Sequence, residues 1–126
     1  MIPYKLISKK NPRDLTADPK FYAQSKSREV VELDALSKLI SREGTVSRTD
    51  VYAVLIALID VLIMELSAGR TVRLGKFGTF AISLSSEGAE NKESFLVSLI
   101  KKARILFRPG SELKQMLNNL KYEKVA

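Results

Sequence analysis

The sequence predicts an α+β fold: two helices, a three-stranded antiparallel sheet and a closing helix, with a basic extension in front. Three observations point there. Apolar residues recur at helical spacing from Leu33 to Leu66, the period drops to two between Thr71 and Phe107, and glycines stand at the junctions, at Gly44, Gly69, Gly75, Gly78 and Gly110.

In chain order, residues 2–8 read as a short strand ended by Lys9-Lys10-Asn11-Pro12. Residues 11–19 hold two prolines and two aspartates and form a loop. Residues 20–31 fit either a second strand or an extended lead-in, because Phe21, Ala23 and Ser25 alternate only weakly with their neighbours. Leu33, Leu36, Leu39 and Ile40 then share one face of a short helix that Gly44 ends. Ser47 and Asp50 have the spacing of a capping box, so a long helix runs over residues 48–68 with Gly69 in the C′ position.

This second helix is apolar nearly all round. Val51, Val54, Leu55, Leu58, Leu62 and Leu66 make one stripe, and Ile56, Ile59, Ile63 and Met64 spread well beyond it. A helix apolar on every side has to be buried on every side. One short helix and a small sheet can hardly cover it in a chain of 126 residues, so the expectation is a homodimer with a shared core, the alternative being a single-chain core closed by the remaining elements. The run is not a membrane span: residues 51–66 are too few and include Asp60 and Glu65.

After Gly69, residues 71–74 and then Phe80, Ile82 and Leu84 read as two strands joined at Gly75-Lys76-Phe77-Gly78. Residues 85–94 are polar and suit a turn or an exposed hairpin tip. Residues 95–107 read as a longer strand, with Phe95, Val97, Leu99, Ala103, Ile105 and Phe107 alternating against Lys102, Arg104 and Arg108. Pro109-Gly110-Ser111 breaks that strand, and Ser111 is placed to cap a last helix over residues 112–120.

Composition narrows the chemistry. The chain has no Cys and no His, which removes disulfides, thiolate nucleophiles, thiolate zinc sites and every histidine-based catalytic arrangement. Asp34, Glu43, Asp50, Asp60 and Glu65 are scattered over the helices rather than clustered, so no metal site, cofactor or small-molecule substrate is expected, and no enzymatic activity. Lys and Arg number 21 against 14 Asp and Glu, a formal charge of +7, which favours a polyanionic partner. The positive charge lies at both ends of the chain, in residues 1–28 and 69–126, around an acidic middle. Residues 1–10 contain no apolar export signal, and a cytoplasmic protein is the expectation.

The helix pair, the run Gly69-Arg70-Thr71-Val72-Arg73-Leu74-Gly75-Lys76-Phe77-Gly78-Thr79-Phe80, and Phe107-Arg108-Pro109-Gly110 followed by Leu113-Lys114 together resemble the HU and integration-host-factor family. These are small dimeric bacterial DNA-binding proteins. The resemblance covers residues 29–120, and the basic residues 1–28 are similar to the N-terminal extension of the HU-like proteins of the Bacteroidetes. It implies two regions, an extension over 1–28 and an HU-like DNA-binding domain over 29–126. It also implies an intertwined dimer, a saddle of strands, two β-arms that reach around double-stranded DNA, and a place in the nucleoid.

In such a fold phosphate would be bound by Arg73 and Lys76 near the glycine turn, and by Arg108 with the amides of Gly110 and Ser111 at the start of the last helix. Lys102 and Arg104 would share one strand face, and Lys114 would lie close to the same helix start. Lys5, Lys9, Lys10 and Arg13 could add contacts from the extension. Two departures from the family pattern matter. Lys76 stands where the family has glycine, and residues 81–94 contain no proline and no arginine, while Glu87, Glu90 and Glu93 outweigh Lys92. An acidic tip without a proline wedge is not built to kink DNA through the minor groove. The leading expectation is therefore a DNA-binding architectural protein with little sequence specificity. The alternative is a dimeric protein-interaction scaffold on the same frame.

Overall fold

The computed structural model describes residues 1–26 and 28–125. In chain order the elements are β1 (Ile2–Lys9), β2 (Lys20–Ser25), α1 (Leu33–Glu43), α2 (Arg48–Ser67), β3 (Val72–Leu74), β4 (Gly78–Ser86), β5 (Ile100–Pro109), α3 (Ser111–Asn118) and β6 (Tyr122–Lys124). They form two compact units, Met1–Val31 with Met116–Ala126, and Glu32–Gln115.

The first unit is a three-stranded sheet in the order β2-β1-β6. Of the two readings of residues 20–31, the strand holds as far as Ser25. It pairs antiparallel with β1 from Tyr4↔Ser25 to Lys9↔Lys20. The connecting loop is shaped by its short polar side chains: Asn11 Oδ1 accepts from the Arg13 amide at 2.9 Å. Asp14 Oδ1 accepts from the Thr16 hydroxyl at 2.6 Å and from the Thr16 amide at 3.1 Å. The hydroxyl bond, reinforced by the amide, holds the Asp14 carboxyl below its ordinary pKa. β6 is an element the sequence reading left out; it pairs parallel with β1 through Ile2↔Tyr122 and Tyr4↔Lys124.

The second unit begins with the helix pair. Ser47 caps α2 by accepting from the Asp50 amide at 3.2 Å, as the capping-box spacing requires. Arg48 reaches back to Asp34 at 2.9 Å and ties the start of α2 to the start of α1. Ser37 is fully buried on α1, and its hydroxyl donates to the Leu33 carbonyl at 2.7 Å. Gly69, at φ 82°, takes the left-handed turn that closes α2.

The sheet of this unit has the order β3-β4-β5, antiparallel throughout. Gly75, at φ 53°, makes the turn between β3 and β4. Gly78 serves a different purpose: a Cβ there would stand 2.5 Å from Cε1 of Phe107. The absent side chain lets Phe107 lie over the strand, where its ring centroid is 4.8 Å from that of Phe80 and 5.6 Å from that of Phe77.

One expected strand is shorter than its pattern. β5 starts at Ile100, not Phe95, because Val97–Leu99 is a single 3₁₀ turn. The Leu99 amide donates to Leu96 at 2.9 Å, while the Leu99 carbonyl accepts from Glu87 at 2.8 Å. A register shift at Ser85/Ser86 ends regular pairing at the same level. In α3, Ser111 is the first helical residue rather than the cap, and the Gly110 carbonyl accepts the first helical bond, from Lys114 at 3.0 Å.

Candidate functional site

The register of the second unit's sheet sorts its residues sharply by face. Val72, Leu74, Gly78, Phe80, Ile82 and Leu84 share one face with Ala103, Ile105, Phe107 and Pro109. The other face carries Arg73, Arg108, Arg104 and Lys102. Arg73 pairs with Thr79, and Thr79 pairs with Arg108, so the two guanidinium groups flank Thr79 one strand apart on either side. At about 4.8 Å between neighbouring strands, their backbones are roughly 10 Å apart. Further along the ladder Ser83 faces Arg104 and Ser85 faces Lys102.

Thr79, Ser83 and Ser85 are the basic residues' partners on this face, and they are small, as is Ala81, which stands opposite Leu106. Leu106, 41% exposed, is the bulky apolar side chain that lies between Arg104 and Arg108 on this face of β5. Sequence reasoning did not single the four small residues out, although their alternation, offset by one from Phe80, Ile82 and Leu84, was the available signal. Among the described residues, Arg73, Lys102, Arg104 and Arg108 take part in no ion pair, whereas the neighbouring Lys101 lies 4.0 Å from Glu87. The four cations are exposed and uncompensated.

The glycine turn is arranged differently from the expectation. Lys76 Nζ lies 3.5 Å from Glu112 Oε1 in the first turn of α3, so this cation is already paired. The Gly110 amide donates to the Phe77 carbonyl at 2.8 Å. That bond binds the F-R-P-G segment to the G-K-F-G turn and takes Gly110's N–H out of the set able to hold a phosphate. Ser111 begins α3, and Lys114 follows in its first turn. The structure thus brings Arg73, Lys102, Arg104 and Arg108 onto one face and groups Lys76, Gly110 and Glu112 at the turn. Lys5, Lys9, Lys10 and Arg13 belong to the other compact unit.

Among the described residues no group of three Asp or Glu could hold a metal ion, and no helix is long and apolar enough to cross a membrane. Cations arrayed along one sheet face beside small neutral residues are suited to binding an extended polyanion.

Comparisons with known proteins identify the family and the fold. A family model described as HU domain fused to wHTH (winged helix-turn-helix), Ig (immunoglobulin) or glycine-rich motif matches residues 1–124. No curated protein matches the chain. Among solved structures, the chain is similar to a protein from Bacteroides vulgatus ATCC 8482 provisionally assigned as a bacterial DNA-binding protein. The TM-score is 0.64 at 10% identity over 98% of this chain. That likeness is one of fold, and the chain spans about half, 48%, of the solved protein's length.

Proposed function

The chain belongs to the family of HU domains that occur fused to other motifs, and from that premise we propose that it is an architectural protein of the nucleoid that binds duplex DNA through its phosphates with little sequence preference. One observation carries the reading. Arg73, Lys102, Arg104 and Arg108 lie unpaired on one face of the β3–β5 sheet, over Thr79, Ser83 and Ser85. Guanidinium and ammonium groups neutralise phosphates whatever the base sequence, because a phosphate contact reads no base edge. Ser111 and Lys114 extend the contact at the start of α3, and Lys76 joins it when phosphate displaces Glu112.

The acting form is a homodimer. Val51 is the only buried apolar side chain among the described residues, while on the same helix Val54, Ile63 and Met64 remain 65%, 59% and 59% exposed. On the sheet's apolar face Ile105 and Leu84 are 67% and 61% exposed. Apolar surface on this scale calls for a partner, and a second copy offers a matching face that doubles the basic one. The arm beyond Ser86 lacks the residues for wedging, so the grip is assigned to the sheet rather than to the tip.

The test is anisotropy of labelled duplex from about 50 to 200 mM salt. A protein neutralising about 6–10 phosphates loses roughly 10³–10⁵ in affinity over that range. Salt-independent binding, or none at low salt, overturns the proposal and leaves the protein-interaction scaffold as the better reading of the acidic arm.

A further inference from the structure

The N-terminal sheet has its own division of faces. By register, Ile2, Tyr4, Leu6 and Ser8 share one face with Phe21, Ala23, Ser25 and Tyr122, and Lys124 is the one charged residue there. The opposite face carries Lys5, Ile7 and Lys9 on β1 with Lys20, Tyr22 and Gln24 on β2. Lys26 continues it, its amide donating to the Pro3 carbonyl at 2.8 Å. The only carboxylate on the strands of this face is Glu123, opposite Pro3, and Arg28 already holds it at 3.3 Å. Among the described residues Lys5, Lys9, Lys20 and Lys26 make no ion pair.

From this segregation we infer that the lysine face of the N-terminal sheet is a second duplex-DNA-binding surface, with its own phosphate contacts in addition to those of the β3–β5 face. The inference rests on the DNA-binding reading above. It also changes which residues of the basic segment matter: Lys20 and Lys26 join Lys5 and Lys9, whereas Lys10 and Arg13 lie beyond the end of β1.

Two features argue for a polyanion rather than a merely solvated face. Lys9 and Lys20 are direct cross-strand partners. Like charges directly opposite each other destabilise an antiparallel pair, and a bound phosphate removes that penalty. Lysines on an outer strand commonly serve to block edge-to-edge pairing, which would account for Lys20 and Lys26. It does not account for Lys5 and Lys9, because β1 is the central strand of the order β2-β1-β6.

Duplex fits better than single strand. Stacking of an unpaired base needs an open aromatic ring, and the Tyr22 ring already carries Lys9 Nζ, 5.7 Å from its centroid. Lys5 and Lys9 are four residues apart on one strand, about 13 Å at ~3.3 Å per residue. This is close to the ~12 Å width of a B-DNA major groove, so the two ends of the face can meet phosphates on either side of it.

The experiment uses the full chain and a mixed-sequence duplex in a salt series. K9Q/K20Q is expected to flatten the log–log salt slope by about 2, while K9R/K20R keeps the wild-type slope. On wild-type protein, acetylation of Lys9 and Lys20 is expected to slow several-fold when duplex is added, and this arm needs no variant to fold. An unchanged slope in folded K9Q/K20Q, undiminished acetylation in the complex, or tighter binding of single strand than duplex overturns the inference. R104Q/R108Q separates it from the wider reading. Flattening there with none in K9Q/K20Q removes the second surface alone, and a wild-type protein that binds no duplex removes both.

Discussion

Gly110 donates its backbone N–H to the carbonyl of Phe77 at 2.8 Å, and its α-carbon lies so close to the Lys76 carbonyl that a Cβ there would overlap that oxygen. The strand end and the turn are therefore clamped by backbone against backbone. The obstacle is a carbonyl rather than the tip of a flexible side chain, so it cannot step aside cheaply. Gly110→Ala is expected to destabilise the fold by about 1–3 kcal/mol, the ordinary cost of overpacking. Thermal unfolding measures it, and an unchanged midpoint would show that the clamp is loose.

Arg104 and Arg108 occupy the same face of β5 without an acidic partner. Each is expected to contribute about one unit to the salt dependence of duplex binding, so R104Q and R108Q each flatten the log–log slope by about 1. The loss should be uniform across duplexes of different sequence, because a phosphate contact positions the protein and reads no base. A loss confined to one sequence would assign the residue to base readout instead.

Lys76 is the basic residue whose environment most departs from expectation, with Glu112 at 3.5 Å. The pair is exposed on both sides, and such pairs contribute about 0–1 kcal/mol to stability. Glu112→Gln is therefore expected to leave the unfolding midpoint nearly unchanged. It should tighten duplex binding at low salt by up to about fivefold, the equivalent of ~1 kcal/mol, by releasing the cation and removing a negative charge beside the phosphates. Weaker binding would mean that Glu112 positions Lys76 for the contact.

The absence of histidine makes a further expectation definite. Histidine is the side chain whose ordinary pKa falls between about 5 and 8, and the sequence contains none. Duplex affinity at fixed salt is expected to stay level across about pH 6–8. A tenfold change in that window, measured by anisotropy, would reveal a perturbed titrating group among the contacts.

What could be read from the sequence, and what could not, follows from the range of the interactions. The helix pair was legible because Ser47, Asp50 and Gly69 are local signals, each acting within one turn. The basic face of β5 was legible because Lys102, Arg104 and Arg108 alternate within one strand. The addition of Arg73 to that face through Thr79 depends on two cross-strand registers, which no local pattern states. Lys76–Glu112 and Gly110–Phe77 were hidden for the same reason, since each joins segments more than thirty residues apart. Phe95, Val97 and Leu99 misled in the opposite direction: their alternation is that of a strand, yet the chain turns there through the Leu99–Leu96 bond. β6 has only three residues and no apolar alternation, so its place beside β1 is a tertiary fact.

The expected dimer rests on α2 and the sheet it meets. Ile63 and Leu66 line an apolar groove with Ile82, Ala103 and Ile105, and Ile63 is 59% exposed in the single chain. If a second copy covers this groove, Ile63→Lys places an ammonium group with no partner in a dry interface, a cost of several kcal/mol per subunit. The variant should therefore sediment as a monomer or fail to fold, while Ile63→Val, which trims one methyl group, should remain dimeric at a cost of about 0.5–1.5 kcal/mol. Sedimentation equilibrium of the wild type with both variants decides it. A wild-type monomer at micromolar concentration, or an Ile63→Lys protein that stays folded and dimeric, would mean that another surface covers α2. DNA binding gives a second reading of the same variant: if the basic face is doubled across the dimer, a folded monomer keeps half the phosphate contacts and about half the salt slope.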